Sequence, residues 1–211
     1  MNDLEQLAKH VIDGQTDPAR AVTRKLLDDD VAPETVLNQA LTPAMDRVGE
    51  LYETQEYFLP EMMASAQAMQ AAMALLRPML TKSKTKPAAT AVLGTVKGDL
   101  HDIGKNVVGM MLEGAGLQVI DLGPDVAPET FMEAVKEHDP DIVGMSAPLT
   151  TTQPMMRTTI EVLKEAGVRD RVKVIIGGPP TNPAFAQEIG ADGYAPDASR
   201  AVRKVRSLLN L

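Results

Sequence analysis

The apolar positions change their period once along the chain. Before residue 81 they recur at helical spacing, as Leu4, Leu7, Ala8 and Val11, then Val22, Leu26 and Leu27, then Val36, Leu37, Leu41, Met45, Val48 and Leu51. A final stretch rich in methionine and alanine keeps that spacing from Pro60 to about Leu80. Asp13-Gly14 closes the first segment, Asp17-Pro18 predicts a capping residue and first helical position for the second, and Pro33 opens the third. The four segments predict a helical bundle over residues 1–80.

From residue 88 onward, short apolar runs alternate with amphipathic segments. The runs predict strands at 88–95, 117–122, 141–146, 172–177 and 192–195, and the segments between and after them predict helices at 103–115, 127–138, 153–166, 183–189 and 198–209. Five strands with intervening helices and short loops predict a doubly wound parallel sheet. The polar, basic stretch 81–87, ending in Pro87, predicts an exposed linker between this α/β domain, 88–211, and the bundle.

Charge and composition narrow the range of partners. A net charge of −8 with acidic residues spread along the chain argues against nucleic acid, which would want a basic stripe. No apolar stretch reaches the length of a membrane span, and the acidic start, Met1-Asn2-Asp3-Leu4-Glu5, is unlike a signal peptide. A cytoplasmic location is therefore expected, with neither membrane nor nucleic acid as a partner. The absence of cysteine excludes disulfides and thiolate catalysis.

The candidate chemistry sits in Gly94-Thr95-Val96-Lys97-Gly98-Asp99-Leu100-His101-Asp102-Ile103-Gly104-Lys105-Asn106, at the carboxyl end of the first predicted strand. Such strand-to-helix crossovers are where open α/β sheets bind ligands. His101 is one of three histidines; His10 falls in the first helix and His138 at the end of a surface helix. A neutral imidazole can give one nitrogen to a metal while its other N–H needs an acceptor. Asp99 is the preferred acceptor and Asp102 the alternative, a residue in a first helical turn being better placed to cap it. Zinc wants three or four ligands, which this chain does not supply. A single protein ligand points to a metal that arrives already caged in a corrin or porphyrin ring.

Asp99-Leu100-His101-Asp102-Ile103-Gly104, followed by Ser146-Ala147-Pro148-Leu149-Thr150-Thr151-Thr152 and Gly177-Gly178, resembles the D-x-H-x-x-G, S-x-L and G-G pattern of cobalamin-binding domains. Gly49-Glu50-Leu51-Tyr52 with Tyr57-Phe58-Leu59-Pro60-Glu61 resembles the helical cap of cobalamin-dependent methionine synthase and of the small corrinoid proteins of methyltransferase systems. Nearly the whole chain is covered.

The resemblance implies a flavodoxin-like strand order of 2-1-3-4-5, with the first and third strand ends adjacent. It implies cobalamin or a related corrinoid as cofactor, methylcobalamin in the loaded state, with His101 as the lower axial ligand of cobalt. Asp99, His101 and Thr152 would form the catalytic relay, Thr152 standing where methionine synthase has serine. Gly98, Asp102, Ile103, Gly104, Ser146, Leu149, Thr150, Gly177 and Gly178 would bind the cofactor, several of them lining a slot for its nucleotide tail. Tyr52, aligned with a phenylalanine of methionine synthase, would cover the upper face with Leu59 and Met62, while Met69 and Met73 read as bundle core.

The implied function is that of a methyl carrier, a corrinoid subunit of a multi-component methyltransferase system rather than a complete enzyme. A substrate-specific methyltransferase would load the cobalt, a second would pass the methyl group to tetrahydrofolate or coenzyme M, and a reductive activator would serve the system. A substrate barrel would need about 250 residues of its own. The alternative readings are a cobalamin-binding regulatory module, for which the acidic bundle offers no basic helix-turn-helix, and the small subunit of a cobalamin-dependent mutase, whose adenosyl group leaves no place for a close cap. A phosphate-binding flavodoxin-like domain is disfavoured because Gly94 and Gly98 do not follow the G-x-G-x-x-G spacing.

Overall fold

The computed structural model describes residues 2–82 and 87–211, with the side chains of 81 and 82 left aside, so most of the predicted linker lies outside the described residues. The chain divides into two compact units, 1–87 with 110–116, and 88–109 with 117–211.

The first unit is helical. It comprises α1 (Asp3–Ile12), α2 (Thr16–Asp28), α3 (Pro33–Val36), a π-helical turn (Leu37–Leu41), α4 (Thr42–Glu53) and α5 (Leu59–Lys82). Asn2 caps α1 in a reciprocal capping box with Glu5. The predicted cap of α2 needs correction: the helix begins at Thr16 behind Gln15, and Asp17, already in the first turn, pairs with Arg20 at 3.3 Å. The third predicted helix is interrupted. Pro43 lacks the N–H that would bond back one turn and its ring crowds that turn, so the chain widens and the Thr42 N–H donates to the Leu37 carbonyl. The extra residue keeps Val36, Ala40, Leu41, Ala44, Met45 and Val48 buried together. On α5, Met62, Ala66, Met69, Met73 and Leu76 are buried at three- and four-residue steps.

The second unit is a five-stranded, all-parallel sheet in the order β2-β1-β3-β4-β5, with β1 Thr90–Thr95, β2 Gln118–Asp121, β3 Ile142–Ser146, β4 Lys173–Gly177 and β5 Gly193–Tyr194. The helices α6 (Ile103–Gly114), α7 (Pro128–His138), α8 (Pro154–Glu165), α9 (Pro183–Ile189) and α10 (Ala198–Leu209) alternate with the strands. Helices on both faces explain why the central strands read as continuous apolar runs rather than alternating ones. Val92, Val143, Met145, Val174 and Ile176 meet Phe131, Met156, Ile160 and Leu163 in one core. On the other face, Leu93 fills the space at Gly144, where an added Cβ would come within 2.4 Å of it.

The register places the site. Thr95 pairs with Ser146, and Ser146 with Gly177, so the carboxyl ends of β1, β3 and β4 lie side by side. Three motifs separated by about fifty and thirty residues in sequence therefore share one edge of the sheet, at the reversal of strand order where such folds bind ligands. Among the described residues, no helix is long and apolar enough to cross a membrane.

Candidate functional site

Asp99 lies at the base of the β1–α6 crossover and is fully buried, while the His101 side chain two residues on is 67 % exposed. The His101 Nδ1 and the Asp99 Oδ1 are 2.8 Å apart, and the His101 backbone N–H donates to the same oxygen at 3.1 Å. The Thr152 hydroxyl donates to the other carboxylate oxygen at 2.7 Å, joined by the Leu149 N–H at 3.2 Å. Asp99 thus accepts from four groups on two crossovers. It, and not Asp102, is the carboxylate that engages the imidazole.

Burial alone pushes the Asp99 carboxyl up, but the hydrogen bonds from Thr152, the His101 ring and the backbone N–H groups of His101 and Leu149 outweigh it and hold the group below its ordinary range. An ionised carboxylate only accepts, so Nδ1 must be the protonated nitrogen. The lone pair is then on Nε2 of an exposed ring, ready to coordinate. Among the described residues, no group of three or more His, Asp or Glu side chains could hold a bare metal ion.

The surroundings of His101 are apolar and open. Leu100 is 74 % exposed, Ile103 62 % and Leu149 41 %. The first turn of α6 is held by Lys105, a buried cation whose ammonium bonds Asn106 and both oxygens of Asp121 at 2.6 Å. A Cβ at Gly104 would meet nothing within 4 Å. Gly178, by contrast, has φ +127° and is pressed so closely on Ala147 that a Cβ would lie 2.4 Å from its carbonyl oxygen. At Gly177 an added Cβ would stand 3.0 Å from the carbonyl of Ala195.

Of the residues singled out from sequence, Gly98, Asp99, His101, Asp102, Ile103, Gly104, Ser146, Leu149, Thr150, Thr152, Gly177 and Gly178 all belong to the α/β unit, on the crossovers after β1, β3 and β4 or at the strand ends that lead into them. Tyr52, Leu59 and Met62 belong to the helical unit: Tyr52 is half-buried near the end of α4, Leu59 is 42 % exposed at the start of α5, and Met62 is 2 % exposed. His10 bonds Gln15 within the helical unit, and His138 ends α7 beside Glu137. Gly94 serves packing rather than a ligand, since a Cβ there would stand 2.6 Å from the Phe131 ring. The sequence reading missed Asp125, whose Oδ1 accepts the Gly98 N–H at 2.7 Å. Its only signal was the turn-forming run Gly123-Pro124-Asp125.

The chain thus combines a parallel sheet that presents one oriented imidazole at its switch point with a separate helical unit, the class of an α/β ligand-binding domain carrying an added helical domain. Residues 89–203 match the family model described as a B12 binding domain, and residues 3–77 match a second model of that description. The chain belongs to the B12-binding family of corrinoid proteins. It is 41 % identical over 212 residues to a corrinoid protein of Desulfitobacterium hafniense strain Y51, covering 99 % of this chain and 98 % of that one. It is 42 % identical to dimethylamine corrinoid protein 3 of Methanosarcina acetivorans, covering 99 % and 100 %.

Two solved structures are also similar. A cobalamin-binding protein from Desulfitobacterium hafniense DCB-2 superposes with a TM-score of 0.80 at 36 % identity over 99 % of both chains. A chain of the methanol:cobalamin methyltransferase complex of Methanosarcina barkeri superposes with a TM-score of 0.87 at 28 % identity, covering 99 % of this chain and 80 % of that one.

Proposed function

We propose that this protein is a corrinoid methyl carrier that holds cobalamin or a related corrinoid through His101. The hydrogen-bonded series from Thr152 through Asp99 to the exposed His101 ring carries this reading, because it orients a single Nε2 lone pair where, among the described residues, no group of three or more potential ligands could hold a bare ion. When bound, the corrinoid supplies a cobalt centre able to take up and give up a methyl group. The residues present suit such a group. Leu100, Ile103 and Leu149 offer a broad apolar rest beside the imidazole, Gly104 leaves room beside α6, and the backbone at Gly177 and Gly178 leaves no bulk at the end of β4. Ser146 and Thr150 supply hydroxyls near the same edge for the polar periphery of the ring and its tail.

The chain's own groups then manage a proton. Nδ1–H donates to Asp99, which leaves Nε2 to hold the metal; were Nε2 unligated it would itself carry the proton, and the charge of the resulting imidazolium would be met by the Asp99 carboxylate that Thr152 holds. Loss of ligation and gain of a proton are thereby coupled in one hydrogen-bonded path. From the resemblance alone, Tyr52, Leu59 and Met62 of the helical unit are proposed as further contacts of the cofactor.

The partners in this reading are a substrate-specific methyltransferase that loads the carrier, an acceptor methyltransferase that passes the group to tetrahydrofolate or coenzyme M, and a reductive activator, all in the cytoplasm. Support comes from the relatives, which include dimethylamine and trimethylamine corrinoid proteins, and from the similarity to a chain of a methanol:cobalamin methyltransferase complex. The test is anaerobic titration with aquocobalamin, followed by reduction and exposure to a methylamine:corrinoid methyltransferase with its substrate. The expected result is stoichiometric uptake with displacement of the lower base, then methylation faster than that of free cobalamin at equal concentration. No uptake, or equal rates, contradicts the proposal.

A further inference from the structure

Building on the carrier reading, we propose that Asp125 is a positioning residue for His101, a clamp that holds the Gly98–Asp99 segment so that the Asp99 carboxylate reaches the imidazole and Thr152 together. Asp125 lies in the crossover after β2, well away in sequence from the motif it grips. Its Oδ1 accepts the Gly98 N–H at 2.7 Å, and its own N–H donates to the Asp99 carbonyl at 2.9 Å. The next residue continues the attachment, the Val126 N–H donating to Thr95 at 2.9 Å, where Val96 and Val126 form a parallel bridge. The β1 crossover is thus fastened to the β2 crossover from Thr95 up to the Asp99 carbonyl.

Two backbone conformations make this grip possible. Gly98 has φ +86°, a turn between its N–H and the Asp99 carbonyl that favours glycine, and Asp125 has φ +54°, a left-handed position that Asp, Asn and Gly tolerate and other residues resist. Asp125 is exposed, so its carboxylate contributes nothing to a packed core. What it supplies is an acceptor at a fixed place. Asp99 has little freedom to compensate: its two oxygens serve four donors from the β1 and β3 crossovers, and a shift of the Gly98–Asp99 backbone would lengthen all four. Asp125 therefore acts on the imidazole through Asp99 without touching it.

Three substitutions separate the elements of the clamp. Asp125→Asn keeps the acceptor and the tolerated backbone, Asp125→Gly keeps the backbone and loses the acceptor, and Asp125→Ala loses the acceptor in a strained position. The full-length protein is loaded with aquocobalamin anaerobically; the affinity and the proportion of the His-ligated spectrum are measured, with thermal unfolding of the unloaded protein as control. We expect Asp125→Gly to bind cobalamin about tenfold more weakly, the lower end of what outer-sphere partners of a ligating histidine contribute, with a smaller His-ligated fraction and little change in unfolding temperature. Asp125→Asn should behave as wild type and Asp125→Ala at least as poorly as the glycine variant.

An Asp125→Gly protein indistinguishable from wild type in affinity and spectrum overturns the proposal, and so does an Asp125→Asn protein as impaired as Asp125→Gly. Should the glycine variant fail to fold, the exchange rate of the Gly98 amide in wild type decides: slow exchange supports the clamp and fast exchange overturns it. Failure of the carrier reading looks different, because wild type itself would then take up no cobalamin.

Discussion

At the scale of single residues, the account turns on a buried carboxylate that four donors keep ionised. In Asp99→Asn one oxygen becomes an NH₂ group that cannot accept from Thr152 or Leu149, and the charge that orients the imidazole disappears. Cobalamin affinity measured by anaerobic titration should fall about 10- to 100-fold. The same carboxylate gives the unloaded protein a pH signature. Its folded-state pKa lies below the ordinary value of 3.8, so below about pH 4 the unfolded chain binds the proton more readily than the folded one. The stabilisation Asp99 contributes is complete above that value and is lost as pH falls through the lowered one. Urea unfolding between about pH 5 and 2 should show this slope in wild type and less of it in Asp99→Asn. Asp99, His101 and Thr152 were legible because their spacing carries the resemblance. The Leu149 N–H and Asp125 were not, since backbone donors leave no mark on a sequence and Asp125 meets Gly98 across 27 residues.

At the scale of elements, the strands and helices of the α/β unit follow their apolar pattern to within a residue or two, because buried strands and amphipathic helices answer to different periods. The first unit hid more. The apolar spacing from Val36 to Leu51 predicted one continuous helix and took no account of Pro43, beside which the π turn at Leu37–Leu41 forms. Asp17-Pro18 carried the composition of a helix start two residues too late. The glycines separate in a way only packing reveals. Gly178→Ala should destabilise the unloaded protein by at least about 2 kcal/mol, because it combines a disallowed backbone with contact on Ala147. Gly104→Ala faces open space and sits in the first turn of α6, so it should leave denaturant unfolding within about 1 kcal/mol of wild type while weakening cobalamin uptake. Equal uptake by Gly104→Ala and wild type would remove Gly104 from the cofactor's path.

For the whole molecule, the change of period near residue 81 marked a helical part and a sheet part, and the strand order followed from the resemblance. The register of β1, β3 and β4 then explains why motifs so far apart in sequence lie side by side. The central claim is that the entire assembly presents one histidine nitrogen to cobalt. The most direct measurement is electron paramagnetic resonance of the cobalamin-loaded protein, reduced to cobalt(II), made with ordinary histidine and with histidine carrying the heavy nitrogen isotope. The account predicts that the axial nitrogen splitting changes from triplet to doublet on labelling and that His101→Ala abolishes this response. A triplet that persists with labelled histidine would contradict it.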